Sequence, residues 1–389
     1  VHISKDSGQL WENVTPPDIE PFTMIHTIEA SPHDASTAYV TATRYKFDDN
    51  RPMVYKTDDY GRTWKSIIDG IPTNDFTRVV REDPTRPDLL YAGTESGIYI
   101  SLNGGDSWHP FKGNLPTVPI YDLQVKQGDL VIGTHGRSFW ILDDISPLYQ
   151  ITENILKASA YLFKPRDTYR LLSQAGHQPS PPPSGLNYSL SMLGIGAASI
   201  ERESPDGSKQ RIWLDAGENP PDGIIMSYYL NLESENEVAI TITDSTGVQV
   251  GHFSSLDGGI SANTGMNRFV WDMRYPSAYP MPGEKIDGHD SSPSIKPLAP
   301  PGIYQVALSM AGEIYNQNFE LMKDPRNTAT QEDLQEQFDL IMEIRDKLSE
   351  TRRAVERTRM IRDQLMDWKK KLRSEPEIAD LAATIDSKL

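Results

Sequence analysis

Over the first third of the chain, apolar and polar positions alternate in bursts of four to seven residues separated by Gly, Pro and Asp. The best-defined copy reads "FTRVV" as a strand from Phe76, "DPTRPD" as a turn, "LLYAGT" as a strand ending at Thr94, "ESG" as a second turn and "IYIS" as a third strand to Ser101. β-branched and aromatic residues fill the runs, and turn formers fill the gaps. The same order recurs in Thr27–Arg44 and in Asp122–Asp143. Six further alternating runs begin at Ile224, Glu237, Val248, Asn267, Gly302 and Ile314, with "DSTG" and "MAGE" as hairpin turns. After Thr328 the period changes to that of a helix. Leu334, Phe338, Ile341 and Leu348 share one face, and Thr358, Ile361, Leu365, Trp368 and Leu372 share another. Thr330 and Asp333 form a capping-box pattern at its start. The spacing predicts one long kinked helix or two, and a short helix after Pro376.

An octapeptide punctuates the strand pattern three times. "SKDSGQLW" ends at Trp11, "TDDYGRTW" at Trp64 and "SLNGGDSW" at Trp108, at intervals of 53 and 44 residues. Intervals of that size match a four-stranded propeller blade, with the octapeptide at the hairpin between its third and fourth strands. The side chains of Asp6, Asp59 and Asn103 can accept backbone N–H groups, and Gly8, Gly61 and Gly105 supply positive φ. Trp11, Trp64 and Trp108 are expected to pack under the next blade. Asn103 standing where the other copies have an acid argues for hydrogen bonding, not proton transfer.

These octapeptides resemble the Asp-box (BNR) repeats of sialidases, of two-propeller xyloglucan-degrading glycosidases and of the sortilin-type propeller. Residues 128–144, 165–171, 217–223, 267–276, 300–308 and 323–326 carry a second likeness, to long bacterial proteins of a sortilin-like, glycosyl-hydrolase-type family. The resemblance implies a mainly β fold: a partial β-propeller over 1–150, a linker and irregular connection over 151–215, an immunoglobulin- or fibronectin-like β-sandwich over 216–326 and a helical segment over 327–389. Three blades and a closing strand do not complete a ring of about four to eight. Upstream blades of the same parent chain are therefore expected, and with them an exposed edge strand. Trp271 is expected in the sandwich core.

Composition then excludes several functions. A net charge of −17, with 55 acidic against 38 basic residues, repels a phosphate backbone, so nucleic acid is not expected as a partner. No run of about 18 apolar residues is present to span a membrane. The absence of cysteine removes disulfides and thiolate chemistry, and no metal-ligand spacing, nucleophile elbow or phosphate loop occurs, so no cofactor or metal is expected. The family likeness places the protein outside the cytoplasm, periplasmic or secreted.

Ligands of a propeller usually meet the face opposite the octapeptides. Aligning the turns after "TAT", "AGT" and "IGT" puts Arg44, Glu95 and His135 in equivalent places, with Tyr45 and Arg137 adjacent. Arg44, Tyr45, His135 and Arg137 are the candidate ligand contacts. Glu95, Asp122 and Asp75 are the candidate acids, the last two near the start of innermost strands. The main expectation is a binding module for glycans or peptides. The alternative is a glycoside hydrolase, sialidase- or xyloglucanase-like, whose carboxylate pair on this face would need a separation of about 5 Å or about 6.5–9.5 Å. A third is a structural surface protein whose helices pair with another chain.

Overall fold

The computed structural model describes residues 1–171, 186–190, 196–203, 209–214, 217, 220–231, 237–281, 296–371 and 376–386. The Pro-rich stretch Ser173–Ser184 and Leu372 lie outside these residues. The chain forms two compact units, one of Val1–Ile151 with Ser180–Pro220 and one of Thr152–Pro179 with Pro221–Leu389.

The first unit is a series of blades. β1 (His2–Ile3) and β2 (Glu12–Asn13) form a lone hairpin. Blade one follows as β3 (Met24–Ala30), β4 (Ala38–Thr43), β5 (Val54–Thr57) and β6 (Lys65–Ser66), paired in that order. Blade two repeats it with β7 (Thr77–Glu82), β8 (Leu90–Thr94), β9 (Ile98–Ser101) and β10 (His109–Pro110). Blade three has β11 (Ile120–Lys126), β12 (Asp129–Thr134) and β13 (Phe139–Leu142), and β13 is its outer strand, with Phe139 and Ile141 exposed. Helix α1 (Ser146–Gln150) closes this run. One apolar cluster (Tyr39, Val54, Ile67, Val80, Leu90, Trp108) fills the space between blades one and two. Another (Val79, Tyr91, Ile98, Ile120, Leu123, Leu130) fills the space between blades two and three. This is the burial that drives sheets to stack.

All three octapeptides lie in the hairpins β1–β2, β5–β6 and β9–β10, and each repeats one set of bonds. The first hydroxyl accepts the N–H of the glycine four residues on: Gly8 to Ser4 at 2.7 Å, Gly61 to Thr57 at 2.9 Å and Gly105 to Ser101 at 2.9 Å. The same hydroxyl donates to Asp6, Asp59 or Asn103. Asp59 Oδ1 accepts the Thr63 N–H, and its Oδ2 accepts the Thr63 hydroxyl. In the third copy Asn103 Oδ1 accepts the Ser107 N–H, while its amide donates to the Ser107 hydroxyl at 3.0 Å. The hydroxyl reverses its role, so acid and amide fit the same turn.

The tryptophans face the opposite way from the expectation. Trp64 donates Nε1–H to the carbonyl of Val14, and Trp108 donates to that of Ile67. Each acceptor stands three residues past the preceding copy's tryptophan, so the clasp reaches back to the previous blade. The glycines share that neighbour: a Cβ on Gly61 would meet Val14 at 2.7 Å, and one on Gly105 would meet Ile67 at 2.5 Å. At the first copy Trp11 is 64% exposed and turns its Nε1–H to its own Gly8 carbonyl.

The clasp also titrates. The Thr63 N–H and hydroxyl hold the Asp59 carboxyl below its ordinary value. A carboxyl depressed on folding stabilises the fold above its unfolded pKa of about 4 and loses that contribution as pH falls through the folded value. Asp59→Asn, which copies Asn103, is therefore expected to make melting temperature fall less steeply between about pH 5 and pH 2. An equally steep fall in the variant would remove Asp59 from this account.

In the second unit, helix α2 (Glu153–Lys157) leads into β14 (Ala160–Leu162) and β15 (Thr168–Arg170). The stretch expected to be an irregular connection thus supplies a strand to each sandwich sheet, because its short apolar runs find open edges. In the first unit, β16 (Leu186–Leu190), β17 (Gly196–Glu203) and β18 (Lys209–Trp213) make a separate antiparallel sheet. The remaining strands are β19 (Ile224–Leu230), β20 (Val238–Asp244), β21 (Gln249–Ser254), β22 (Gly265–Trp271), β23 (Gly302–Met310) and β24 (Glu313–Lys323). They pair as β14–β19–β22 and β15–β24–β23–β20–β21, with β15 parallel to β24. Between the sheets Trp271 is fully buried against Tyr304 and Phe319. Ala311 and Gly312, both at positive φ, make the β23–β24 turn that "MAGE" predicts.

The C-terminal segment is one continuous helix, α3 (Gln331–Lys371), followed by α4 (Pro376–Asp386). The capping box forms: Thr330 Oγ1 accepts the Asp333 N–H, and Asp333 Oδ2 accepts the Thr330 N–H. Leu334 is buried, and Phe338 and Met342 pack on the sandwich core.

Candidate functional site

Each innermost strand of the blades carries one irregularity in its pairing. The register shifts between Ile25 and Thr27, between Thr77 and Val79, and between Ile120 and Asp122. The residues left in the bulges are His26, Arg78 and Tyr121. A bulge re-aims its side chain, and these three come from three consecutive blades.

Arg78 is the hub. Only 6% exposed, it donates from Nε and Nη2 to Glu95 Oε2 at 2.9 and 2.6 Å, while Nη1 makes no hydrogen bond among the described residues. Its guanidinium lies 4.2 Å from the Tyr121 ring centroid, 4.9 Å from Phe76 and 5.6 Å from Tyr45. Tyr45 and Phe76 stack at 4.9 Å, and Tyr121 meets His135 at 4.7 Å. Aromatic faces stabilise a partly desolvated cation, and Glu95 neutralises it.

The loops hold this basket in place through the backbone. Glu95 donates its N–H to the Phe76 carbonyl, and His135 donates its N–H to that of Pro119. In blades two and three the turn between second and third strands is thereby pinned to the residue just before the innermost strand. Thr27 and Thr41 donate their hydroxyls to the Arg78 carbonyl. His26 Nε2 lies 2.8 Å from the Thr43 hydroxyl. Burial first, and then the charge of Arg78, lowers its pKa below the ordinary imidazole value, so it stands neutral at neutral pH.

The residues named from sequence fall into two groups. Tyr45, Glu95 and His135 meet around Arg78. Arg44, Arg137, Asp122 and Asp75 do not. Arg44 forms an ion pair with Glu20 at 2.5 Å and stacks over Phe47. Arg137 is exposed and takes part through its backbone: its N–H donates to Thr134 Oγ1, and its carbonyl accepts Trp140 Nε1–H. Asp122 is paired with Arg81 at 2.8 Å, and Arg81 also holds Glu29. Asp75 is buried under the turn at Thr94–Gly97 and accepts from Thr94, Ser96 and Tyr99. Glu95 and Asp122, the candidate carboxylate pair, are each committed to a separate arginine. Among the described residues no group of three or more His, Cys, Asp or Glu could hold a metal ion.

Sequence reading missed His26, Arg78, Phe76 and Tyr121 as site residues. No sequence signal set Arg78 apart, because its strand also carries Thr77, Arg81 and Glu82.

No protein-family profile matches the chain, and no curated protein matches it. Among solved structures, YCF48 from Cyanidioschyzon merolae is similar at 16% identity over 37% of this chain and 46% of its own, with a TM-score of 0.28. A YCF48 bound to a D1 peptide is similar at 14% identity over 58% of this chain and 68% of its own, with a TM-score of 0.29. The GH74 enzyme of Niastella koreensis is similar at 15% identity over 77% of this chain and 46% of its own, with a TM-score of 0.26. This chain therefore spans less than half of the first and third of these proteins. The blade architecture rests on the strand pairings, not on these likenesses.

Proposed function

We propose that the blades form an extracytoplasmic binding module that takes a glycan or an extended peptide at the Arg78 basket. The observation that carries this reading is the convergence of three bulges, which puts a guanidinium paired with Glu95, its Nη1 without a hydrogen-bond partner among the described residues, beside the half-exposed Tyr121 ring. Aromatic faces suit both sugar rings and peptide side chains, and a fixed guanidinium supplies orientation. Hydrolysis receives no comparable support, since Glu95 and Asp122 each already serve an arginine. The octapeptides act in this reading as Asp-box clasps, and the two-sheet unit acts as an immunoglobulin-like accessory. A further blade of the parent chain packs beside blade one in this scheme. Support comes from Trp11 and Ile28, which are exposed there while the equivalent tryptophan Trp108 is buried.

Glycan arrays and peptide libraries probed with the whole chain test the proposal. Arg78→Met and Tyr121→Ala are each expected to weaken any hit at least about tenfold, equivalent to about 1.4 kcal/mol, with far-UV circular dichroism unchanged. Hits that survive both substitutions, or no hits from either library, would overturn the proposed site.

A further inference from the structure

The two sheets of the second unit end differently on their two sides. On one side the edge strands are β14 and β15, each only three residues long. On the other side they are β21 and β22, of six and seven residues. Neither long edge contains a proline or a lysine, and β22 pairs with β19 over its whole length without a register shift. Very short strands, prolines, lysines and bulges are the means by which sheets block unwanted pairing. The side of β21 and β22 lacks them, and the outer edge of β22 meets no other strand among the described residues.

The two long edges border one cleft of about 480 Å³. Phe253 from β21 and Phe269 from β22, both half-buried with ring centroids 4.5 Å apart, form its apolar floor. Gly251 makes room for the first of these rings, since a Cβ there would stand 2.8 Å from it. The rim carries exposed His252, Arg274 and Lys296 against a single exposed acid, Asp272, whose Oδ1 already accepts the Arg274 N–H. A further cation lies within reach of Arg274. Arg170 is 7% exposed, and its Nε and Nη1 are buried without a hydrogen-bond partner among the described residues. Burial lowers the Arg170 pKa, and the charge of Arg274 does so too.

We infer that this cleft binds an extended acidic peptide, which adds as a strand to the free edge of β22 and sets its carboxylates on Arg274 and Lys296. Main-chain hydrogen bonds to an open edge supply affinity, and the pockets under alternate side chains supply choice. Every second side chain of the guest falls on the phenylalanine floor. Its acids extend past the end of β22, where the chain continues into Asp272 and Arg274. The net charge of −17 repels such a peptide elsewhere, whereas the cations at this cleft draw it in.

Fluorescence polarisation of the whole chain with a labelled peptide of alternating Val and Thr, carrying Asp-Glu at both ends, tests the inference. This peptide is expected to bind at least about tenfold more tightly than the same peptide with Lys-Lys at both ends. N-methylation of its alternate amides should abolish binding, because a methylated strand cannot pair with the edge. Arg274→Glu with Lys296→Glu should reverse the preference, so that the basic peptide binds and the acidic one does not. A misfolded variant could not gain that preference. Gly251→Val, which displaces the Phe253 ring, should weaken the acidic peptide at least about tenfold. No binding of the acidic peptide, equal binding of the basic or the N-methylated peptide, or a wild-type dimer that sedimentation shows dissociating as the peptide is added would each overturn it.

Discussion

Trp108→Ala is expected to lower the unfolding free energy by about 3–5 kcal/mol, while the same change at Trp11 shifts it by no more than about 0.5 kcal/mol. The two residues close the same octapeptide, so local turn chemistry predicts equal losses. Burial separates them. Trp108 is 2% exposed in the cluster between blades one and two, and its Nε1–H reaches the Ile67 carbonyl at 2.8 Å. Its removal opens a cavity lined by Val80, Leu90 and Tyr99 and strands a carbonyl. Trp11 is exposed and turns its Nε1–H to the Gly8 carbonyl of its own hairpin. Trp64, partly buried against Val14, should fall between them. Trp108→Phe should recover most of the loss and leave a deficit of about 1 kcal/mol for the missing hydrogen bond. Urea unfolding followed by tyrosine fluorescence and circular dichroism provides the measurement. Equal destabilisation at positions 11 and 108 would show that the tryptophans stabilise only their own hairpins.

The contrast between these tryptophans marks how far the sequence could be read. The octapeptide, its spacing and the strand runs around it depend on local residue chemistry, so the hairpins and the positive-φ glycines were legible. The direction of the clasp was not, because it depends on which neighbouring blade lies within reach of an indole nitrogen. The same limit governs the site. Tyr45, Glu95 and His135 follow short strands and could be aligned from the text, but Arg78 reads as an ordinary strand position until the pairing shows it in a bulge. A register slip of one residue leaves no mark in composition or period. Asp122 illustrates the converse error: its place at an innermost strand suggested a free carboxylate, while Arg81, distant in sequence, had already engaged it.

Asp75→Ala is expected to destabilise the blades by about 3 kcal/mol or more while leaving ligand affinity at the Arg78 basket unchanged. Although it was a candidate acid at the channel mouth, Asp75 is 5% exposed and works as the internal support of the turn that presents Glu95. Its Oδ2 accepts from Thr94 Oγ1 at 2.9 Å, from the Ser96 hydroxyl and from Tyr99 at 3.4 Å. Its Oδ1 accepts the Ser96 N–H at 3.1 Å. Burial, and next the negative charge of Asp75, push the Tyr99 hydroxyl above its ordinary pKa, as expected for a phenol that donates to a buried carboxylate. Alanine would leave several donors buried and unmet, each lost partner weighing about 1–3 kcal/mol, partly relieved by entering water. Asp75→Asn keeps one acceptor oxygen and lets the Thr94 and Ser96 hydroxyls rotate to receive its amide, so it should recover a large part of the loss. The Tyr121 variant should show the reverse pattern, with affinity lost and stability kept, whereas Arg78→Met should lose both, because Arg78 is buried and holds Glu95. An Asp75→Asn protein with wild-type melting but no ligand binding would move this carboxylate from the scaffold into the site.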